Sequence, residues 1–337
     1  MSDEAVCIEL LPKVSRTFAL SIEALPDPLR GAVRAAYLLC RIVDTIEDDP
    51  TTLAGERARL FDLFQRLIAD DGADPAPLER AFGGRRLRDD DDDLCRRSGS
   101  VFRQFRQLPR PLRNAIRPHV YEMAQGMAHY SRRWKGPDQL TVLSDLDDLH
   151  RYCFFVAGTM GNMLTAIFIA VEGDALDQAT RRAMRVRAVR FGHGLQMTNI
   201  ARDVRADHGR GWCFLPARIC ERHGIAPDDL LRPEQRDRAM GVIREVAGVA
   251  SEHLDLALEY TLKVPAERVA LRLFLVVPLV LAHGTLALVA SDARVLDPPG
   301  VKLSREAVGS ALLRAQRLVE DDDGLRQLCA AARNRAL

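Results

Sequence analysis

The chain has 337 residues, 47% of them hydrophobic, and its 48 basic and 47 acidic side chains leave a formal charge of +1. A helical chain of this length can bury one large core; the balanced charge argues neither for nor against a polyanionic partner, and no nucleic-acid partner is expected. Seven scattered cysteines without a CxxC pair exclude a disulfide framework or zinc site and fit a reduced, cytoplasmic compartment, while the acidic start MSDEAVCIELLPK is not a signal peptide.

Helical spacing begins after Pro12, breaks at Pro26 and Pro28, and resumes near Leu29. Ser15 and Arg16 open the first helix, with Phe18 close behind; they read either as a cap and a surface charge or as hydroxyl and guanidinium donors to a phosphate. In the second helix Tyr37, Arg41, Asp44 and Asp48 recur at intervals of three and four, which places them on one face. Residues 69–100 are expected to form an irregular polar loop. The run Asp89 to Asp93 within it would point all round a helix, and Arg85, Arg86, Arg88, Arg96 and Arg97 flank it, so a solvated, self-neutralising loop is favoured over a metal site.

Helical periodicity returns from Val101 to Trp134, with Val120, Met123, Met127 and Tyr130 as a core stripe. The segment Leu149 to Val171 is apolar all round and interleaves Ala157, Gly158 and Gly161, which predicts a buried central helix packed closely against a neighbour or ligand. Tyr152 near its start has either a structural hydrogen bond or a catalytic, phosphate-facing hydroxyl.

Between Gly192 and Pro216 the stripe Gln196, Asn199, Asp203 and Asp207 carries a second carboxylate pair, followed by the Gly209-Arg210-Gly211 turn. Carboxylate pairs on two facing helices suit a hard cation such as Mg²⁺, which keeps open positions for the oxygens of a phosphate-bearing substrate. Gly192-His193-Gly194 lacks both the third glycine of a dinucleotide fingerprint, Met197 standing there, and a preceding strand, so the match is chance. Trp212 to Arg218 is expected as a lid or mouth segment. Val269 to Ala290 is long enough to cross a bilayer, but Arg272, Pro278, His283 and Gly284 interrupt it and no basic flank follows, so a buried core helix is predicted. Lys302, in the Pro/Gly loop beyond, is either solvated or a mobile phosphate contact, and residues 320–337 form a polar tail with a terminal helix. No repeat and no alternating strand pattern appears, so the expected fold is all-α, with residues 1–337 as one domain.

The blocks KVSRTFALSI, YLLCRIVDTIEDDP, YCFFVAGTMG, GLQMTNIARDVRAD with its FLP, and LFLVVPLVLAHGTLAL leading to GVKLSRE resemble, in order, the squalene/phytoene synthase family of head-to-head prenyl diphosphate synthases. The resemblance runs from about Pro12 to about Ala307, and DTIEDD and YCFFVAG resemble squalene synthases more than phytoene synthases. It implies an isoprenoid-synthase helical bundle whose central cavity takes two farnesyl diphosphates. Carried onto this chain, it implies that Asp44, Glu47, Asp48, Asn199, Asp203 and Asp207 hold Mg²⁺ bridged to diphosphate, while Ser15, Arg16, Tyr37, Arg41 and Arg202 bind diphosphate oxygens and Gln196 lies along the substrate. Phe18, Tyr152, Val156, Gly158 and Phe274 would wall the cavity, with Tyr152 assisting proton removal in competition with diphosphate oxygen and Phe274 serving the second half-reaction. NADPH would supply a hydride there, with Asn199 and Lys302 as cofactor contacts.

The chain departs from the pattern at Ala206, where squalene synthases have Glu, and at Pro50, where eukaryotic forms often have Met. The C-terminal hydrophobic anchor of eukaryotic forms is not seen, so an enzyme of the bacterial type, soluble or loosely membrane-associated, is expected. Alternatives are a presqualene diphosphate synthase, a phytoene-type enzyme, a relative recruited to another prenylation or cyclisation, and a non-catalytic scaffold.

Overall fold

The structure, a computed structural model, describes residues 1–335 apart from 50–51, 85–88, 137 and 174–175, and for Arg16 and Thr17 it describes the backbone alone. The described residues are overwhelmingly helical, as the missing strand pattern predicts; the two strands are two residues each. Tertiary contacts gather them into two units, residues 1–132 with 159–181, and residues 133–158 with 182–337.

In the first unit, α1 (Asp3–Val14) starts on Ser2, whose hydroxyl accepts the Ala5 amide, and α2 (Arg16–Glu23) starts on Ser15 in the same way. Helix α3 (Leu29–Asp48) is the hub. Its Leu38, Leu39, Cys40, Ile42, Val43 and Ile46 are buried, and it packs against α1, α6, α7, α8 and α10. Helix α8 (Arg110–Ser131) buries the predicted stripe Val120, Met123, Met127 and Tyr130, with α4 (Ala54–Ala69) and α10 (Thr159–Glu172) against it.

Residues 69–100 correct the expectation of an irregular loop, because they contain α5 (Ala76–Gly83), α6 (Asp90–Arg96) and the start of α7 (Ser98–Gln107). The acidic run is not spread round a long helix: Asp89 caps α6 by accepting the Asp92 amide at 3.0 Å, and the other carboxylates fill its first turn, where the helix dipole favours negative charge. Asp92 is buried, Asp91 pairs with Arg41, and Asp93 lies near Lys13 and Arg97. Of the flanking arginines, Arg85, Arg86 and Arg88 lie outside the described residues.

In the second unit α15 (Val269–Ser291) is the core helix, packed by α14 (Arg236–Thr261), α16 (Arg305–Leu318) and α17 (Asp322–Arg333). Among the described residues, Leu146–Glu172 and Val269–Ser291 are long and apolar enough to cross a membrane. Of the polar residues that argued for a core helix in the second, Arg272, 2% exposed, donates to the carbonyls of Val264 and Val319 and pairs with Asp322, and His283 is buried. The terminal helix after Glu320 is α17, which buries Leu325, Leu328, Cys329 and Ala332.

Two further expectations change. The apolar segment from Leu149 is not one buried α-helix: α9 (Leu146–Cys153) runs into a π-helical turn, Phe154–Gly158, where Phe154, Phe155, Val156 and Ala157 are only half-buried. The wider turn rotates these side chains out of the packed stripe. The close approach foreseen from the small residues is present, since a Cβ on Gly192 would stand 2.1 Å from the Ala157 carbonyl oxygen. Trp212 to Leu215 is no lid. Strand β2 (Trp212–Cys213) pairs in parallel with β1 (Thr141–Val142), and Phe214 and Leu215 are buried. Three large apolar side chains, Trp212, Phe214 and Leu215, gain more from burial than an exposed flap would allow.

Candidate active site

On α3 the packing pattern leaves one stripe unburied. Tyr37, Arg41, Asp44 and Glu47 are half-buried and Asp48 is exposed, while their neighbours on the helix face the core. Ser15 acts as the cap of α2, accepting the Phe18 amide at 3.3 Å, and it also bonds the Tyr37 hydroxyl. Phe18 lies against the Tyr37 ring, with centroids 6.0 Å apart. Burial raises the Tyr37 phenol above its ordinary value, partly offset by that bond to Ser15. The Arg16 side chain lies outside the described residues.

Arg41 forms a two-pronged pair with Asp91, 2.8 and 2.6 Å, and lies 3.8 Å from Asp44. The bond to Asp91 keeps its guanidinium above the ordinary value. Desolvation, opposed by Arg41 and reinforced by the charges of Asp48 and Asp91, pushes the Asp44 carboxyl up to about 7. Asp91 is therefore a member of this cluster that spacing arguments set aside. Its signal was positional: the first turn of a helix that packs on α3 is where an acid can reach Arg41.

In the second unit Asn199, Asp203 and Asp207 sit at the junction of α11 (Gln178–Arg202) and α12 (Val204–Gly209). The helix breaks at Asp203, yet the amide of Asp203 still donates to Asn199 O at 2.8 Å and that of Asp207 to Asp203 O at 2.9 Å, so the one-turn spacing of the stripe survives. Arg202 clasps Asp203 at 2.8 and 2.5 Å, and the bond keeps its guanidinium above the ordinary value. Asp207, 5% exposed, accepts from Arg210 at 2.6 Å. Arg210, which sequence reasoning treated only as part of a flexible turn, is held there by Gly211, whose φ of 78° suits glycine, and by the Trp134 indole on its carbonyl. Asn199 and Ala206 are exposed and Gln196 is half-buried.

Tyr152 stacks on Phe214 at 4.4 Å, and Phe214 stacks on Trp212 at 5.1 Å. Val156 is half-buried in the π turn, Gly158 is buried against Phe154 and Val189, and Phe274 is buried in α15. Lys302 is exposed in the loop before α16 and, among the described residues, makes no hydrogen bond or ion pair.

Each cluster, taken within its own unit, thus offers oxygen donors suited to a hard cation and keeps guanidinium groups on its carboxylates. A ligand that brings both a divalent cation and an anion satisfies such a cluster: the cation takes the carboxylates, and the arginines turn to the anion.

The description "Squalene/phytoene synthase" matches residues 11–307 of the chain. The squalene synthase of Schizosaccharomyces pombe is 29% identical over 93% of this chain and 65% of its own, and squalene synthase 1 of Arabidopsis thaliana is 27% identical over 93% and 72%. The chain spans about two thirds of the length of these curated relatives. Among solved structures, a TcSQS–ligand complex superposes with a TM-score of 0.78 at 23% identity, covering 99% of this chain and 98% of that one. A squalene synthase from Alicyclobacillus acidocaldarius gives 0.54 at 21%, covering 86% and 92%. These likenesses show the same all-helical fold that the sequence blocks implied.

Proposed function

We propose a function from the premise that the chain belongs to the squalene/phytoene synthase family: it joins two farnesyl diphosphates head to head into presqualene diphosphate, and reduces that intermediate to squalene with NADPH. The observation that carries the reading is the charge pairing of its acidic stripes, Arg41 with Asp44 and Asp91, Arg202 with Asp203, and Arg210 with Asp207. Such paired clusters can hand their carboxylates to a divalent cation and their guanidinium groups to the diphosphate it carries.

Asp44, Glu47, Asp48, Asn199, Asp203 and Asp207 are the residues that would hold Mg²⁺, which when bound stabilises the negative charge that grows on diphosphate as the allylic C–O bond ionises. Arg41 and Arg202, once released from their carboxylates, bind diphosphate oxygens in the same two-pronged geometry they now use. Tyr37 and Ser15 add hydroxyl donors. Phe18, Tyr152, Val156, Gly158 and Phe274 keep water from the carbocation, and each aromatic face close to it contributes about 0.5–2 kcal/mol. The stack on Phe214 fixes the Tyr152 ring, which directs its hydroxyl rather than leaving it mobile. Lys302, an exposed cation in a loop, is available to an NADPH phosphate.

The test is incubation of purified protein with farnesyl diphosphate and Mg²⁺, with and without NADPH, followed by analysis of hydrocarbon and diphosphate products. Squalene formed only with NADPH supports the whole reading. The same presqualene diphosphate or dehydrosqualene under both conditions replaces it with an enzyme that needs no reductant, and intact substrate in both rejects the donor. Asp203→Asn is expected to abolish diphosphate release; unchanged release removes the metal role assigned to that residue.

A further inference from the structure

Three histidines that no motif joins meet in the second unit: His150 on α9, His193 on α11 and His253 on α14. Each offers one ring nitrogen such that all three lie within 4.8 Å of one another, and Nε2 of His150 and Nε2 of His253 are 3.1 Å apart. The His150 and His193 rings are near parallel, 13° between planes, and His253 stands at 86° to both, with centroids 5.1–5.5 Å apart. We propose that these three imidazoles form a binding site for a divalent transition metal of the zinc class, separate from the oxygen-donor stripes of the candidate active site.

The spacing suits such an ion. Nitrogens about 2.0–2.1 Å from a tetrahedral zinc lie about 3.3 Å from each other, close to the 3.1 Å of the His150–His253 pair, and the His193 nitrogen lies within 4.8 Å of both. The second observation is a deficit of partners. His193 is 6% exposed and, among the described residues, neither ring nitrogen has a hydrogen-bond partner; His253 is 5% exposed and its Nδ1 has none. A neutral His150–His253 hydrogen bond accounts for two nitrogens and leaves His193, buried beside Gly158, with neither nitrogen used.

Burial keeps these side chains neutral, with His193 pushed down to about 3 and His253 to about 4, so that lone pairs are available at neutral pH. Arg190 faces the cluster and opposes a cation, while Asp147 beside His150 favours one. His150 is half-buried, which leaves an entry path and a fourth position for water.

The glycines flanking His193 bring the helices together, since a Cβ on Gly194 would meet Leu254 at 2.6 Å, next to His253, and one on Gly192 would meet the π turn. The ion would therefore lock α9, α11 and α14 at a point two residues before Tyr152 and three before Gln196. The cysteine count, which argued against zinc, does not bear on a site made only of histidine.

The experiment uses the full chain without a histidine tag. Co²⁺ is added while visible absorption and thermal unfolding are followed, and Zn²⁺ is then used in competition. Expected are the intense bands of four-coordinate cobalt at about one equivalent, their displacement by Zn²⁺, a higher melting temperature with either ion, and persistence of the bands in Asp203→Asn. His193→Gln and the milder His150→Gln should each weaken cobalt binding at least about tenfold. Circular dichroism reports whether each variant is folded, and if His193→Gln is not, His150→Gln decides. Absence of intense bands in the folded protein, bands that survive His150→Gln, or bands lost in Asp203→Asn would overturn the proposal.

Discussion

Asp44→Asn should stabilise the metal-free protein at alkaline pH while destroying its activity. The Asp44 carboxyl is held up at about 7 by desolvation, with Asp48 and Asp91 adding to the effect and only Arg41, 3.8 Å away, opposing it. Against an unfolded value of 3.8, ionising this group inside the folded protein costs about 4 kcal/mol, at about 1.4 kcal/mol for each pH unit of difference. The side chain is 26% exposed and the variant also loses its attraction to Arg41, so about 2 kcal/mol is the expected net gain. The sign follows from linkage. A carboxyl with a raised folded value binds more protons in the folded state, so the wild type loses stability as pH rises from about 4 to about 7, and the penalty is constant above that. Urea unfolding of both proteins in chelator at pH 5 and pH 8 measures it. The variant should gain little at pH 5 and about 2 kcal/mol at pH 8, a shift of several degrees in melting temperature. A variant less stable than wild type at both pH values, by a similar amount, would refute the reasoning, because Asp44 would then be a structural partner of Arg41 and not a carboxylate kept under strain for a ligand.

Gly192→Ala should cost about 3 kcal/mol, the upper end for overpacking, because the new Cβ meets backbone at 2.1 Å; Gly248→Ala, with open space around it, should be neutral or slightly stabilising, and urea midpoints that do not separate the two sink the close-approach reading. Acidification in chelator should cost roughly 2–4 kcal/mol per pH unit between about 6 and 4: His193, held at about 3, and His253 and His283, at about 4, refuse the protons that an unfolded histidine takes near 6.5. His283→Gln should flatten that slope, and a stability flat over this range contradicts the buried neutral state of all three. Arg272→Met should destabilise by about 3 kcal/mol or more, measured by denaturant unfolding, since the Val264 and Val319 carbonyls lose their donor and Asp322 its partner. A loss under about 1 kcal/mol would mean that water replaces the guanidinium.

Much of the chemistry was legible in local spacing. Helix periodicity is a property of neighbours in sequence, so the Tyr37, Arg41, Asp44, Asp48 face and the Asn199, Asp203, Asp207 stripe could be placed without coordinates, and the second stripe holds its register even though the helix breaks at Asp203. The core stripe of α8 and the buried character of α15 were readable for the same reason. What misled was composition taken as a guide to surroundings. Five consecutive aspartates read as solvated loop, yet the turn they open packs on α3, where Asp92 is buried and Asp91 finds Arg41. Trp212 and Phe214 read as a lid, yet a parallel pairing with residues 141–142, some seventy positions earlier, pins them down.

The sequence by itself determined the helices, the acidic faces and the family, because each of these depends on residues within a few turns of one another or on ordered blocks. Only the tertiary structure decided which charges meet and which histidines share a space. Arg41 and Asp91 are fifty positions apart, and His150, His193 and His253 lie on three helices, so no periodicity links them. The histidines come together because Gly192 and Gly194 let backbones approach where any side chain would hold them apart, and that is a fact about packing in three dimensions.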